Sequence, residues 1–226
     1  MRQKIEFFMA VILLAILVIA GRNVSKYVSS EQVKKQNLTV VLDAGHGGDD
    51  PGKVGVNDVE EKTINLAIAK KAETLLKKEK IDVVMTRDED TMLAGPDGEL
   101  TKVGDMKARV AKINEVNPIL TVSIHQNSYH QEGIMGAQVF YYSHSEEGKK
   151  AAELMQEALL ILNTENHRKA KANDTYYLLK RTQVPTIIVE CGFLSNWEEA
   201  ELLKDEEYQE NVAEAIVNGI KAYMEK

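Results

Sequence analysis

The sequence predicts a single α/β domain: a mostly parallel, twisted sheet of about six strands with helices on both faces. Three observations predict it. Strand-like runs and helix-like periods alternate from residue 38 to the end of the chain. The strand-like runs are apolar and β-branched rather than alternating, the mark of strands buried on both faces. Composition is that of a globular protein, with 44% apolar and 28% charged residues in 226.

The elements follow in order. Residues 38–43 form a short β-branched run that ends before Gly45. Residues 61–80 have helical period, with Ile64, Ala67, Ile68, Lys71, Leu75 and Leu76 marking one face. Residues 81–86 read as the second strand. A long loop from 87 to 104 holds the turn sequence Gly95-Pro96-Asp97-Gly98. A helix over 105–117 is stopped by Pro118. Strands follow at 119–124 and 137–142, then a helix over 146–162. Tyr176-Tyr177-Leu178-Leu179 and residues 186–189 read as the last two strands. Helical sequence begins at 198 and resumes over 208–224. No internal repeat or low-complexity tract occurs, and residues 38–226 are used up by one unit.

Charge is unevenly spread. Lys and Arg number 28 against 35 Asp and Glu, for a net −7. Residues 1–37 carry six basic and two acidic side chains, so the rest carries −11. A nucleic-acid binder would show a basic face, and this domain is acidic. One cysteine, Cys191, excludes an internal disulfide framework and a cysteine-only zinc site. It reads as a small buried residue.

The first 37 residues are a separate region. Residues 7–20 are apolar without a break, behind Arg2 and Lys4. As a helix they span about 21 Å at 1.5 Å per residue, against about 30 Å for a bilayer core. Residues 1–21 therefore read as a signal peptide or an N-terminal membrane anchor, with the charges favouring an inside N-terminus. Residues 22–37 are polar and read as a linker. The expectation is export, to the extracytoplasmic face of the membrane or the cell wall.

Three strand ends carry the chemistry. His46 follows the first strand in a glycine-rich loop, His125 closes the strand at 119–124, and Glu190 closes Thr186-Ile187-Ile188-Val189. Ligands in open α/β sheets bind at the carboxyl ends of strands. Glu61 opens the first helix just after the His46 loop. Two imidazoles and a carboxylate, with another carboxylate nearby, match a catalytic zinc site with one position left for water. Each residue has a plainer alternative. The glycine loop could cradle phosphate, but it lacks the lysine and Ser/Thr of a P-loop. His125 could be a core histidine, Glu190 a salt-bridge partner, and Glu60 and Glu61 helix-dipole residues. The metal reading accounts for all four positions together.

These residues lie in a recognisable series. Gly45-His46-Gly47-Gly48 with Asp50-Pro51-Gly52 comes first, then Glu61-Lys62 with Asn65-Leu66, and Thr86-Arg87. Ser123-Ile124-His125 with Asn127 follows, then Val189-Glu190 with Gly192 to Asn196. Over residues 38–223 the chain resembles the zinc-dependent N-acetylmuramoyl-L-alanine amidases of the Amidase_3 family. The resemblance implies Zn2+ held by His46, Glu61 and His125, with Glu190 as the catalytic glutamate. It implies a peptidoglycan substrate, cut between the lactyl group of muramic acid and the first L-alanine. A narrower resemblance is to sporulation-specific members. It rests on the N-terminal apolar segment, Gly136-Ala137-Gln138 before Phe140-Tyr141, and Arg168-Lys169-Ala170-Lys171. It implies cortex peptidoglycan, muramic-δ-lactam formation and germination. Lys53 departs from the small residue usual after Asp-Pro-Gly.

Other roles are open at this level. Arg87 and Arg109 read as partners of nearby carboxylates or as contacts for acidic substrate groups. Asn127 reads as a turn residue or an orienting group. His130, His144 and His167 sit on polar loops and are expected to be exposed. Only 64 residues separate His125 from Glu190, filled by a strand, a helix, a strand and short connections, so no built-in plug is expected and control falls to expression, location or a partner. A zinc peptidase cutting within the stem, and a non-catalytic wall-binding protein, are the rival readings.

Overall fold

The computed structural model describes residues 39–225. The expectations for residues 1–21 and 22–37 lie outside the described residues. Among the described residues, no helix is long and apolar enough to cross a membrane.

Six strands form one sheet: β1 (Val40–Ala44), β2 (Val83–Met85), β3 (Leu120–Asn127), β4 (Gln138–Tyr141), β5 (Lys171–Ala172) and β6 (Thr186–Phe193). Their order is β2-β1-β3-β6-β4-β5. All neighbours are parallel except β4 and β6, which are antiparallel. The helices are α1 (Glu61–Lys78), α2 (Lys102–Val116), α3 (Glu146–Ala158), α4 (Tyr177–Arg181), α5 (Trp197–Lys204) and α6 (Glu206–Met224), with a 3-10 turn at Leu159–Ile161.

The α/β class, the mostly parallel sheet and the count of six strands agree with the sequence. Two elements do not. Tyr176 to Leu179 is not a strand but the start of α4. The Asn173 side chain accepts from the backbone N–H groups of Thr175 and Tyr176 and turns the chain there. Burial of Leu178 and Leu179 then fixes one helical turn despite the β-prone tyrosines. The sixth strand is β5, two exposed residues paired with Phe140 and Tyr141, too short and polar to leave a pattern. The buried face of α1 also differs from the expected one, since Asn65, Ala69 and Ala72 are on it while Lys71 pairs with Glu210.

Strand alternation gives the sheet two unlike faces. One carries Val40, Leu42, Ala44, Leu120, Val122, Ile124, Ile187 and Val189, all fully buried under α1, α3 and α6. The other carries Val41 and then Asp43 on β1, Thr121, Ser123 and His125 on β3, and Ile188 and Glu190 on β6. Parallel register sets Asp43 beside Ser123 and His125 beside Glu190. Helices α2 and α4 cover this face only in part, and the polar residues line a cleft at the strand ends.

The dry face supplies most of the cohesion. Ile216 of α6 is fully buried there. Ile216→Ala is expected to cost roughly 2–5 kcal/mol, read from the urea midpoint of unfolding at pH 7.

Candidate active site

The cleft holds about 340 Å³ and is lined by His46, His125 and Glu190 on its polar side, with Tyr176, Leu178 and Ile188 among its apolar residues. The chain leaves β1 through Gly45 into His46, whose φ of 61° is left-handed and costly for a residue with a Cβ. Neighbouring groups hold it there. Arg109 donates from Nη2 to the His46 carbonyl at 2.6 Å and from Nη1 to the Ala44 carbonyl at 2.7 Å. Arg87 donates to the carbonyls of Ala44, Gly45, Lys62 and Glu89 at 2.9–3.0 Å. Burial and the nearby Arg109 charge lower its pKa to about 10. Arg109 therefore pairs with carboxylates as the sequence suggested, whereas Arg87 is bonded to backbone carbonyls.

Arg109 is 1% exposed and makes ion pairs with Asp43 at 2.6 Å and Asp105 at 2.7 Å. Asp43 also accepts from the hydroxyls of Thr86 at 2.7 Å and Ser123 at 2.6 Å. Burial opposes ionisation of Asp43, but the guanidinium and the two hydroxyls outweigh it and hold the carboxyl near a pKa of about 2.

The donor atoms of His46, Glu61 and His125 lie within 4.8 Å of one another. Glu61 opens α1 and is buried, with Oε2 at 3.2 Å from His46 Nε2 and Oε1 at 2.9 Å from His125 Nδ1. Its carboxylate also accepts from the backbone of Lys53 at 2.8 Å and Gln126 at 3.1 Å, which fix its position. Burial would raise its pKa, yet the two imidazoles hold it well below the usual carboxylate range. The Nδ1 of His46 faces Asp50 Oδ2 at 2.7 Å, leaving Nε2 turned to Glu61. Burial disfavours a charged His46 ring, but Glu61 and Asp50 prevail and raise its pKa to about 9.

Two glycines make room for this cluster. A Cβ on Gly45 would stand inside the His125 ring, and one on Gly52 would lie 2.5 Å from Glu61 Oε2 and 2.7 Å from His46 Cδ2. Three convergent donors, a carboxylate behind one imidazole and this cradle fit a divalent cation of the zinc type.

Glu190 is 7% exposed, and its Oε2 is buried without a hydrogen-bond partner. Burial pushes its carboxyl up to about 7, with the Glu61 charge adding and the two imidazoles opposing. A carboxyl poised there can take or give a proton at neutral pH. The side chains of His46 and His125 are 26% and 23% exposed, so the cluster is reachable from solvent.

All four residues singled out in the sequence are thus brought together. Glu60, by contrast, is the half-exposed N-cap of α1 and pairs with Lys62. Asn127 accepts from the N–H of Ser128, and its carbonyl holds Leu194. His130, His144 and His167 are exposed. Cys191 is buried, and burial pushes its thiol pKa far up. Sequence reasoning gave no role to Asp43, Ser123 or Asp50. The available signal was polar residues at alternate positions of otherwise apolar strands, as in Thr121-x-Ser123-x-His125.

The described residues form one α/β domain whose cleft carries a candidate two-histidine, one-glutamate metal centre. The chain belongs to the Amidase_3 family of N-acetylmuramoyl-L-alanine amidases, which matches residues 40–222. It is similar to the germination-specific N-acetylmuramoyl-L-alanine amidase of Bacillus subtilis, 38% identical over 188 residues, covering 81% of this chain and 78% of that one. Its fold is similar to that of the CwlD amidase from Clostridioides difficile, solved in complex with the GerS lipoprotein. There the TM-score is 0.79 and identity 39%, over 84% of this chain and 99% of that one. The catalytic domain of CwlV from Paenibacillus polymyxa gives 0.73 and 33%, over 83% and 98%.

The buried pair yields a signed pH prediction. Asp43 titrates near 2 when folded and near 3.8 otherwise. Its contribution is present above about pH 4 and is lost as pH falls through about 2. Arg109→Met strands the Asp43 charge and is expected to cost about 3–5 kcal/mol near neutral pH. That cost shrinks as pH falls from neutral, because burial without the guanidinium makes the stranded carboxyl protonate above its ordinary 3.8. Denaturant unfolding at pH 6 and pH 3 checks both statements.

Proposed function

We propose that this protein is a zinc-dependent amidase that cuts the bond between muramic acid and L-alanine, with spore-cortex peptidoglycan as its substrate. One observation carries the reading: the His46, Glu61 and His125 donors converge in a cleft that also holds Glu190, whose buried Oε2 lacks a partner. Similarity to the germination-specific amidase and to CwlD supports the cortex assignment.

His46, Glu61 and His125 would hold the zinc, with Asp50 keeping the His46 ring oriented. Bound zinc supplies a Lewis acid and lowers the pKa of water. Glu190 takes the proton of the attacking water at its carboxylate. It then delivers that proton to the alanine nitrogen, which cannot leave as an amide anion. Burial of Glu190 suits both halves, because a carboxyl raised toward neutral is a stronger base and still able to return the proton. The products are a free stem peptide beginning at L-alanine and a muramic acid with a free lactyl carboxylate.

The N-terminal segment, residues 1–21, serves export and, if retained, membrane attachment, with 22–37 as the tether. That places the domain on the extracytoplasmic side, in the cortex space. A protein partner is part of this reading, supported by the capture of CwlD with a lipoprotein.

The test uses the full-length zinc-loaded chain on purified cortex peptidoglycan, with products read by mass spectrometry. Intact stems starting at L-alanine are expected, whereas cleavage inside the stem would make the protein a peptidase. Glu190→Ala is expected to keep its zinc and lose about 10²–10⁴ in turnover. His46→Ala and His125→Ala lose metal as well, measured by metal analysis after gel filtration.

A further inference from the structure

Besides the histidines, the cleft is lined by one lysine and one arginine among the described residues, Lys102 and Arg109. Arg109 is spent: it is buried and bonded to Asp43, Asp105 and two backbone carbonyls. Lys102 is different. It is the first residue of α2, its side chain is 68% exposed, and its Nζ meets a single carboxylate, Asp50 Oδ1, at 2.7 Å. An ammonium has three donors, so Lys102, on the lining of the cleft, keeps hydrogen-bonding capacity beyond its Asp50 pair. Asp50 is itself fixed, since its other oxygen, Oδ2, faces the His46 ring and Oδ1 also accepts from the Gly52 N–H at 3.3 Å. A flexible lysine is thereby tethered beside the metal donors, in a domain whose net charge is −11. The wall formed by Met106, Leu178 and Ile188 supplies no charge.

The substrate is asymmetric in the same sense. On the glycan side of the scissile amide it is a sugar. On the leaving side it is an acidic peptide, with a carboxylate on the residue after L-alanine. An acidic protein that grips an acidic peptide needs a local cation, and a tethered ammonium forms a charge-assisted bond at little cost in side-chain entropy. Resting on the amidase reading above, we propose that Lys102 is a specificity-determining residue that binds the carboxylate of the stem peptide next to L-alanine, with Asp50 holding it in place. Asp50 then serves two positions at once, the His46 ring and the substrate cation.

The experiment uses full-length zinc-loaded protein in detergent and two disaccharide-tetrapeptides that differ only in a free or amidated α-carboxylate on the second residue. Calorimetry in a Glu190→Ala background reads binding without turnover. Preference for the free carboxylate is expected to be about tenfold, the scale of one partly exposed charge-assisted bond. Lys102→Gln abolishes the preference, and Lys102→Arg retains it. Equal zinc content in all variants separates this role from metal holding. The proposal is overturned if the Lys102 protein binds both substrates equally, or if Lys102→Gln keeps the preference. A protein with Glu190 intact that cleaves both substrates alike removes this proposal and leaves the amidase reading standing. Failure to bind or cleave either removes both.

Discussion

The structure depends on one buried ion pair. Asp43 and Arg109 meet at 2.6 Å with almost no exposure, and the same guanidinium caps the carbonyls of Ala44 and His46. A buried pair of this kind adds little net stability over an apolar substitute, because desolvation offsets attraction. What it fixes is the path of the chain. Residues 44–46 turn out of the sheet with their carbonyls pointing inward, and a carbonyl buried without a donor costs about 1–3 kcal/mol. Arg109 and Arg87 between them satisfy all three. His46 can therefore sit at a left-handed φ with its ring directed at Glu61.

The same strand alternation that makes a core makes the cleft. Even positions of β1 and β3 and odd positions of β6 seal the dry face. Asp43, Ser123, His125 and Glu190 fall on the other, where parallel register sets Asp43 beside Ser123 and, two residues further along β3, His125 beside Glu190. A one-residue slip of β3 would bury Gln126 in the place of His125 and dismantle both halves at once. Stability and chemistry are thus tied to one register. The antiparallel strand β4 closes the other side of β6, pairing Gln138 with Glu190. That pairing leaves the Glu190 side chain on the cleft face, desolvated but without a protein partner.

Much of this was legible in the sequence, for stated reasons. His46, His125 and Glu190 stand out because they end apolar strands, and parallel strands must bring such ends to one edge. Glu61 was findable because a glycine loop of fixed length returns the chain to the first helix. The supporting layer was hidden. Asp43 reads as the end of an apolar run, and nothing local says that Arg109, 66 residues on, will meet it. Arg87 looked like a carboxylate partner, since a guanidinium that serves only carbonyls leaves no charge pattern. Helix α4 was missed because Tyr-Tyr-Leu-Leu favours a strand until tertiary burial of Leu178 and Leu179 decides otherwise. Strand β5, two exposed residues long, has no signature to read.

On the function proposed above, His46, Glu61 and His125 together hold a catalytic metal. X-ray absorption at the zinc edge of the loaded full-length protein tests it most directly. Two imidazole nitrogens at about 2.0–2.1 Å are expected, with oxygen ligands at about 2.0–2.2 Å. Loss of one imidazole from the spectrum is expected in His125→Ala that has been loaded at excess zinc. A shell containing sulfur at about 2.3 Å, or one without imidazole, would contradict it.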